Sequence, residues 1–193
     1  MEGFNYNGKV VIGIDHGYGN MKTRHTVFKS GVKCFTLEPA VASNVLEYNG
    51  KYYVIGESHK VFIANKNEDN DYYILTLVAI AKELAFRGQT DADIILAVGL
   101  PLHWLKNQKQ EFIDYLMREQ EVRYRFQGKS YCIRIREVMV YPQGYAGVAS
   151  SMQNYKGVNM LADIGNGTMN TLVITNGRGI SDKMYTVYLS TQN

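Results

Sequence analysis

Two stretches, Asp15-His16-Gly17-Tyr18-Gly19-Asn20-Met21-Lys22-Thr23 and Asp163-Ile164-Gly165-Asn166-Gly167-Thr168-Met169-Asn170-Thr171, are copies of one pattern, D-x-G-x-G-x-M-x-T. Each follows an apolar run, Lys9 to Asp15 (KVVIGID) or Val158 to Asp163, and each precedes residues that suit a second strand. A strand built this way carries an aspartate to the mouth of a sheet. The glycines then let the next hairpin turn tightly with its N–H groups presented outward, where a phosphate accepts them. Taken singly, either copy reads as an ordinary turn. The repetition points instead to one device used twice. It predicts a two-sided clamp on a polyphosphate, with Asp15 and Asp163 at the C-terminal ends of neighbouring strands and holding Mg²⁺ through water. No GxxxxGK[ST] loop is present. The dinucleotide fingerprint also fails, because Lys22 and Asn170 stand where its third glycine belongs. Lys22 is a candidate for a terminal phosphate or a plain solvated lysine.

Outward from the first copy, Lys9–Asp15 predicts a strand buried on both faces, with a return strand near Thr23–Phe28. Further strands are predicted at Lys33–Leu37, Val45–Tyr48 and Tyr52–Ile55, the last two joined by Asn49-Gly50. Asn65–Asp71 (NKNEDND) reads as a solvated loop. Ile74, Leu77, Val78, Ala81, Leu84 and Ala85 have helical spacing, with Asn70 or Asp71 as cap and Gly88 as stop. Asp93–Gly99 (DIILAVG) is an apolar strand, Pro101 ends it, and Phe112, Ile113, Leu116 and Met117 form the stripe of a second helix. Alternation on either side of Gln127-Gly128 predicts a hairpin. A short helix near Tyr145–Gln153, then strands at Val158–Asp163, Thr171–Thr175 and Tyr185–Ser190, complete the reading. Leading strands followed by helices alternating with strands define an α/β unit in which a hairpin edge joins a parallel sheet.

Bulk properties narrow the function. The 193 residues are 46% hydrophobic and carry 21 basic against 18 acidic side chains, a net charge of +3. The basic residues are scattered, so a nucleic-acid surface is not indicated. Cys34 and Cys132 have neither CxxC nor His-ligand spacing, which argues against a disulfide framework or structural zinc. The N-terminus lacks a signal-peptide pattern, and no apolar run reaches the roughly 20 residues of a membrane span. The cytoplasm is the expected compartment.

VVIGIDHGYGNMKT and LADIGNGTMNTLVI resemble the two phosphate motifs of the ParM/StbA family of actin-like plasmid-segregation ATPases. LAVGLP at Leu96–Pro101 is similar to that family's glycine-leucine-proline signature, and VYPQGYAG at Val140–Gly147 to its connecting segment. The resemblance spans essentially the whole chain and implies an α/β, ribonuclease-H-like, actin-type ATPase fold. The ligand it implies is ATP or GTP with Mg²⁺. Asp15 would hold the metal through water, Lys22 would meet the outer phosphates, and Asp163 would organise metal and attacking water. Gln143 would orient that water, although at a helix start it reads equally as a plain polar residue. Gly17, Tyr18, Gly19 and Asn20, then Gly165, Asn166, Gly167 and Thr168, would line the phosphates. Asn170 departs from the pattern, since relatives commonly carry Asp there, and the change bears on hydrolysis more than on binding.

Residues 1–157 are expected to form a complete first actin-like domain and residues 158–193 the opening strands of a second. Such a chain alone would bind nucleotide weakly and turn over little, and its last strands would present open edges and an apolar face. The implied function is a nucleotide-driven filament former for plasmid segregation, self-associating and meeting DNA only through an adaptor protein, without a membrane. A non-catalytic actin-like binding module and a small-molecule kinase of the same superfold are the alternatives.

Overall fold

The computed structural model describes residues 4–57, 70–100, 102–165 and 168–188. The chain forms two compact units, one of Met1–Val98 with Glu111–Met139, the other of Gly99–Gln110 with Val140–Asn193.

In the first unit the strands are β1 (Asn5–Tyr6), β2 (Lys9–His16), β3 (Asn20–Lys22), β4 (Val27–Lys29), β5 (Val32–Phe35), β6 (Val45–Tyr48), β7 (Lys51–Ile55), β8 (Asp91–Leu100), β9 (Val122–Phe126) and β10 (Lys129–Pro142). They make one sheet in the order β4-β3-β2-β8-β10-β9-β6-β7-β5, with β1 also on β2. β2 and β8 run parallel, Ile12 facing Leu96, while the hairpins β6–β7 and β9–β10 are antiparallel. Asn49-Gly50 and Gln127-Gly128 form the expected two-residue turns, all four residues at positive φ.

β2 differs from the sequence expectation. Val10, Ile12, Ile14 and His16 are buried, but Val11 is only half-buried and Gly13 is exposed. The cause is that both packed helices, α1 (Asp71–Phe86) and α2 (Leu102–Leu116), meet β2 on the same face. The His16 ring lies edge-on to Tyr72 of α1 at 6.0 Å and to Phe112 of α2 at 5.4 Å. β8 is buried at Ile94, Ile95 and Leu96. In α2, Phe112 and Leu116 are buried and Ile113 is half-exposed, as is Met117 just past the helix end. α1 is apolar nearly all round, as a helix inside a core should be. Asn70 stands at the N-cap position, as expected, but makes no side-chain cap bond. Gly88 does end the helix: at φ 68° its N–H reaches Ala85 O while the Gln89 N–H reaches Leu84 O, a Schellman closure.

The return strand also shifts. It is β3, and Thr23–Thr26 form a turn in which the Thr23 N–H donates to Thr26 O at 2.8 Å. Glu83 of α1 holds this turn, accepting from Thr23 Oγ1 at 2.6 Å and from the His25 N–H at 3.0 Å, with His25 Nδ1 2.8 Å from its other oxygen.

In the second unit α3 (Tyr145–Ala149) and a 3-10 turn (Met152–Asn154) pack on the antiparallel sheet β11 (Val158–Ile164), β12 (Thr168–Thr175) and β13 (Arg178–Tyr188). Val148, Met152, Leu172 and Ile174 are its core, with Tyr145, Tyr155 and Leu161 around them. The opposite face leaves Val158, Met160 and Ile164 at least 70% exposed, the apolar face expected from the sequence. β13 begins seven residues before the expected Tyr185, because Asn176-Gly177 is a two-residue turn that pairs Thr175 with Arg178 at once. The predicted polar loop falls mostly in 58–69, outside the described residues, as do Pro101 and the expected strand end at 189–190.

Candidate functional site

Both copies of the repeated motif form antiparallel hairpins with the same register. In the first, Asp15 pairs with Lys22 and His16 with Met21. In the second, Asp163 pairs with Asn170 and Ile164 with Met169. Each aspartate therefore stands near the C-terminal end of its strand, as expected. The strands that carry them belong to different sheets and are not hydrogen-bonded neighbours, which corrects that part of the expectation.

The first hairpin is built around missing side-chain atoms. A Cβ on Gly17 would collide with the carbonyl oxygen of Asn20, so glycine is required by close approach. Ser30, itself buried, donates its hydroxyl to Gly17 O at 2.8 Å and its N–H to Gly19 O at 3.1 Å. These bonds occupy two loop carbonyls that would otherwise repel an anion. Lys22 Nζ lies 3.4 Å from Asp15 Oδ2, with both side chains about half exposed. Asn20 is exposed, whereas the Tyr18 ring is buried, so Tyr18 offers its backbone to a ligand. The neighbouring His16 is buried with Nε2 2.8 Å from Thr76 Oγ1. The Thr76 hydroxyl donates to Tyr72 O at 2.7 Å, so Nε2 carries the imidazole proton.

In the second hairpin Gly165 is exposed and Thr168 opens β12, while Asn166 and Gly167 lie outside the described residues. Gln143 and Asp163, both expected to act on water, meet here through Gly144. That residue has φ 78°, and a Cβ on it would stand 2.9 Å from Asp163 Cβ and 3.4 Å from Oδ2. Gln143 is anchored by its N–H to Leu100 O at 2.9 Å, and Gly99 leaves room for its Cγ. Asn170 is buried. Its Oδ1 accepts from Thr186 Oγ1 at 2.8 Å, and its Nδ2 faces Gln143 Oε1 at 3.5 Å. An aspartate could not donate to Gln143 in this way, so Asn170 supplies a hydrogen-bond donor where an aspartate would bring a charge.

The sequence reading missed Ser30, Gly144 and Thr186. Ser30 lies between β4 and β5 and Thr186 on β13, and neither carries a local signal. Gly144 did carry one, because Gln143-Gly144 repeats the Gln-Gly pair that marks the turn at 127–128. The first hairpin fits a Mg²⁺-nucleotide. A single, half-exposed carboxylate suits an ion that keeps several waters, and a glycine cradle with its carbonyls tied back suits phosphate. Among the described residues no helix is long and apolar enough to cross a membrane.

The mixed sheet and the separate three-stranded sheet, each with one copy of the strand-turn-strand motif, make up an actin-like fold. Residues 13–145 match the family described as actin like proteins N terminal domain, and the chain belongs to that family. The curated proteins contain no match. Among solved structures, an AlfA filament bound to AMPPNP shares 19% identity at a TM-score of 0.73, the match covering 96% of this chain and 72% of that one. Apo ParM of psk41 shares 14% at 0.72, covering 94% and 66%. An archaeal actin homologue in complex with ADP shares 16% at 0.72, covering 93% and 60%. At these identities the likeness shows the fold, and the chain spans between 60% and 72% of the three proteins' lengths.

Proposed function

We propose that the chain is the nucleotide-binding part of an actin-like ATPase that assembles into filaments, of the kind that segregate plasmid DNA. The observation that carries this reading is the doubled hairpin with identical register, since an ordinary turn has no reason to recur with the same aspartate, glycines and pairing. Two of the similar structures, described as an AlfA filament bound to AMPPNP and as an archaeal actin homologue with ADP, support a nucleotide ligand, and the former supports self-association.

Asp15 would hold Mg²⁺ through water and Lys22 would meet the outer phosphates. Gly17, Gly19 and Asn20 offer backbone N–H groups in the first hairpin, and Gly165 with Thr168 in the second. Mg²⁺ on the nucleotide would neutralise the polyphosphate and polarise its terminal phosphoryl group. Gln143, anchored at Leu100 and faced by Asn170, orients the attacking water, and Asp163 accepts a hydrogen bond from that water. ATP or GTP as the ligand, and an adaptor protein as the link to DNA, belong to the same proposal.

Light scattering and pelleting with Mg²⁺ and ATP or GTP, alongside equilibrium titration of each nucleotide, test it. Binding that Asp15→Ala and Lys22→Ala both weaken supports the reading. Indifference of the protein to either nucleotide, or equal binding by both variants, would sink it.

A further inference from the structure

The first hairpin carries a third strand, β4, that the repeated motif does not include. β4 lies against β3 with Asn20 opposite Lys29, Met21 opposite Phe28 and Lys22 opposite Val27, while β2 sets Asp15 opposite Lys22. Residues directly opposite one another, and residues two apart along a strand, project from the same face of a sheet. Asp15, Asn20, Lys22, Val27 and Lys29 therefore share one face. Burial agrees, since Met21 is fully buried and Phe28 half-buried, whereas Asn20, Lys22, Val27 and Lys29 are exposed.

Lys29 is also fixed to the loop itself. The next residue, Ser30, donates its N–H to Gly19 O at 3.1 Å and its hydroxyl to Gly17 O at 2.8 Å, so the end of β4 cannot drift from the glycine cradle without breaking both bonds. Adjacent strands lie about 4.7–4.9 Å apart, less than the length of a lysine's flexible stem, so an ammonium at position 29 reaches an anion held beside Asn20.

The charges on this face do not balance. Lys22 is engaged by Asp15 at 3.4 Å, but no carboxylate among the described residues pairs with Lys29. Its neighbour away from the hairpin is Gly56, which has no side chain to engage it, and the following Glu57 is already shared with Lys33 at 4.0 Å. In the second hairpin the equivalent position, opposite Thr168, is the uncharged Tyr188, so this extra cation belongs to the first copy alone.

We propose that Lys29 is a second phosphate-contacting lysine of the first hairpin, meeting the polyphosphate from β4 as Lys22 meets it from β3. The proposal rests on the nucleotide reading of that hairpin and extends it to a residue outside the motif.

Equilibrium titration of the full chain with Mg²⁺-ATP, or with Mg²⁺-GTP if the parent prefers it, provides the test. Lys29→Gln should weaken the nucleotide by about three- to fivefold, the worth of one solvent-exposed ion pair, and added salt should narrow that gap. Lys29→Arg should keep the affinity of the parent. Lys129→Gln removes the same charge from the start of β10, where the residue stands opposite Phe126, and should change nothing. Lys29 is exposed, so its replacement spares the core. A parent that binds nucleotide beside a Lys29→Gln of equal affinity would overturn the proposal and leave the nucleotide reading standing; Lys29 would then only guard an open strand edge. An equal loss from Lys129→Gln would overturn it too, as a general effect of charge. A parent that binds neither nucleotide would overturn both.

Discussion

Replacing Gly144 by alanine places a methyl group where the structure has none to spare. The backbone there has φ 78°, a conformation that costs an L-residue about 1–2 kcal/mol. The added Cβ would also stand 2.9 Å from Asp163 Cβ, an atom that no rotamer change moves, so the backbone on one side of the contact must shift, at about 1–3 kcal/mol. Together the two effects predict a loss of about 2–5 kcal/mol, and with a urea slope of roughly 2 kcal/mol per molar the unfolding midpoint should fall by about 1–2.5 M. Gly147→Ala is the internal control. Gly147 lies in α3, where an added methyl would meet nothing within 4 Å, so alanine should leave stability unchanged or raise it by about 0.5–1 kcal/mol. Urea unfolding followed by circular dichroism reads both. A Gly144→Ala midpoint equal to that of the parent, or an equal loss at Gly147, would refute the argument that Asp163 is positioned by the missing Cβ.

Gln143→Ala should slow nucleotide hydrolysis by about tenfold or more with affinity nearly intact, since orienting water acts on the transition state; equal losses in binding and turnover would make Gln143 a structural residue. Thr186→Val removes the hydroxyl that holds Asn170 Oδ1, and should cost about 1–2 kcal/mol in urea unfolding and lower turnover without raising KM, whereas Thr186→Ser should restore both. Glu83→Ala should cost about 2–4 kcal/mol near neutral pH by releasing the Thr23–Thr26 turn. Burial alone would push the Glu83 carboxyl up, but hydrogen bonds from Thr23 and from the His25 side chain and backbone outweigh it and hold the group below its usual range. That stabilisation is full above the unfolded carboxyl value of about 4.3 and is lost as pH falls through the lower folded one. Acid titrations of the parent and of Glu83→Ala should therefore converge at low pH, and parallel curves would show that Glu83 is not the group responsible.

The sequence carried those parts of the fold that depend on near neighbours. Alternation and Gly-containing turn pairs located the hairpins at 49–50 and 127–128, and helical spacing located α1 together with its glycine stop, whereas the sequence places the two-residue turn at 176–177 too far from its return strand. The one-sided burial of β2 was itself legible, since in KVVIGID Val10, Ile12 and Ile14 alternate with Lys9, Val11, Gly13 and Asp15; what the sequence could not show is that both helices cover that one face, which Tyr72 and Phe112 around His16 decide. The aspartates, glycines and Gln143 of the candidate site were legible as motif positions. Their supports were not, since Ser30, Thr186 and Glu83 reach their partners across 13 to 60 residues of chain.

The shared register also limits how the gene can vary in length. In each hairpin the innermost cross-strand pair, His16 with Met21 or Ile164 with Met169, is separated by four residues. Side chains alternate along a strand with a period of two, so inserting or deleting one codon between those pairs would turn the whole return strand over. Met21, fully buried, would face water, and Lys22 would be driven into the space it left. Functional descendants of this sequence should therefore tolerate substitutions at Asn20 far more readily than any single-residue change in loop length.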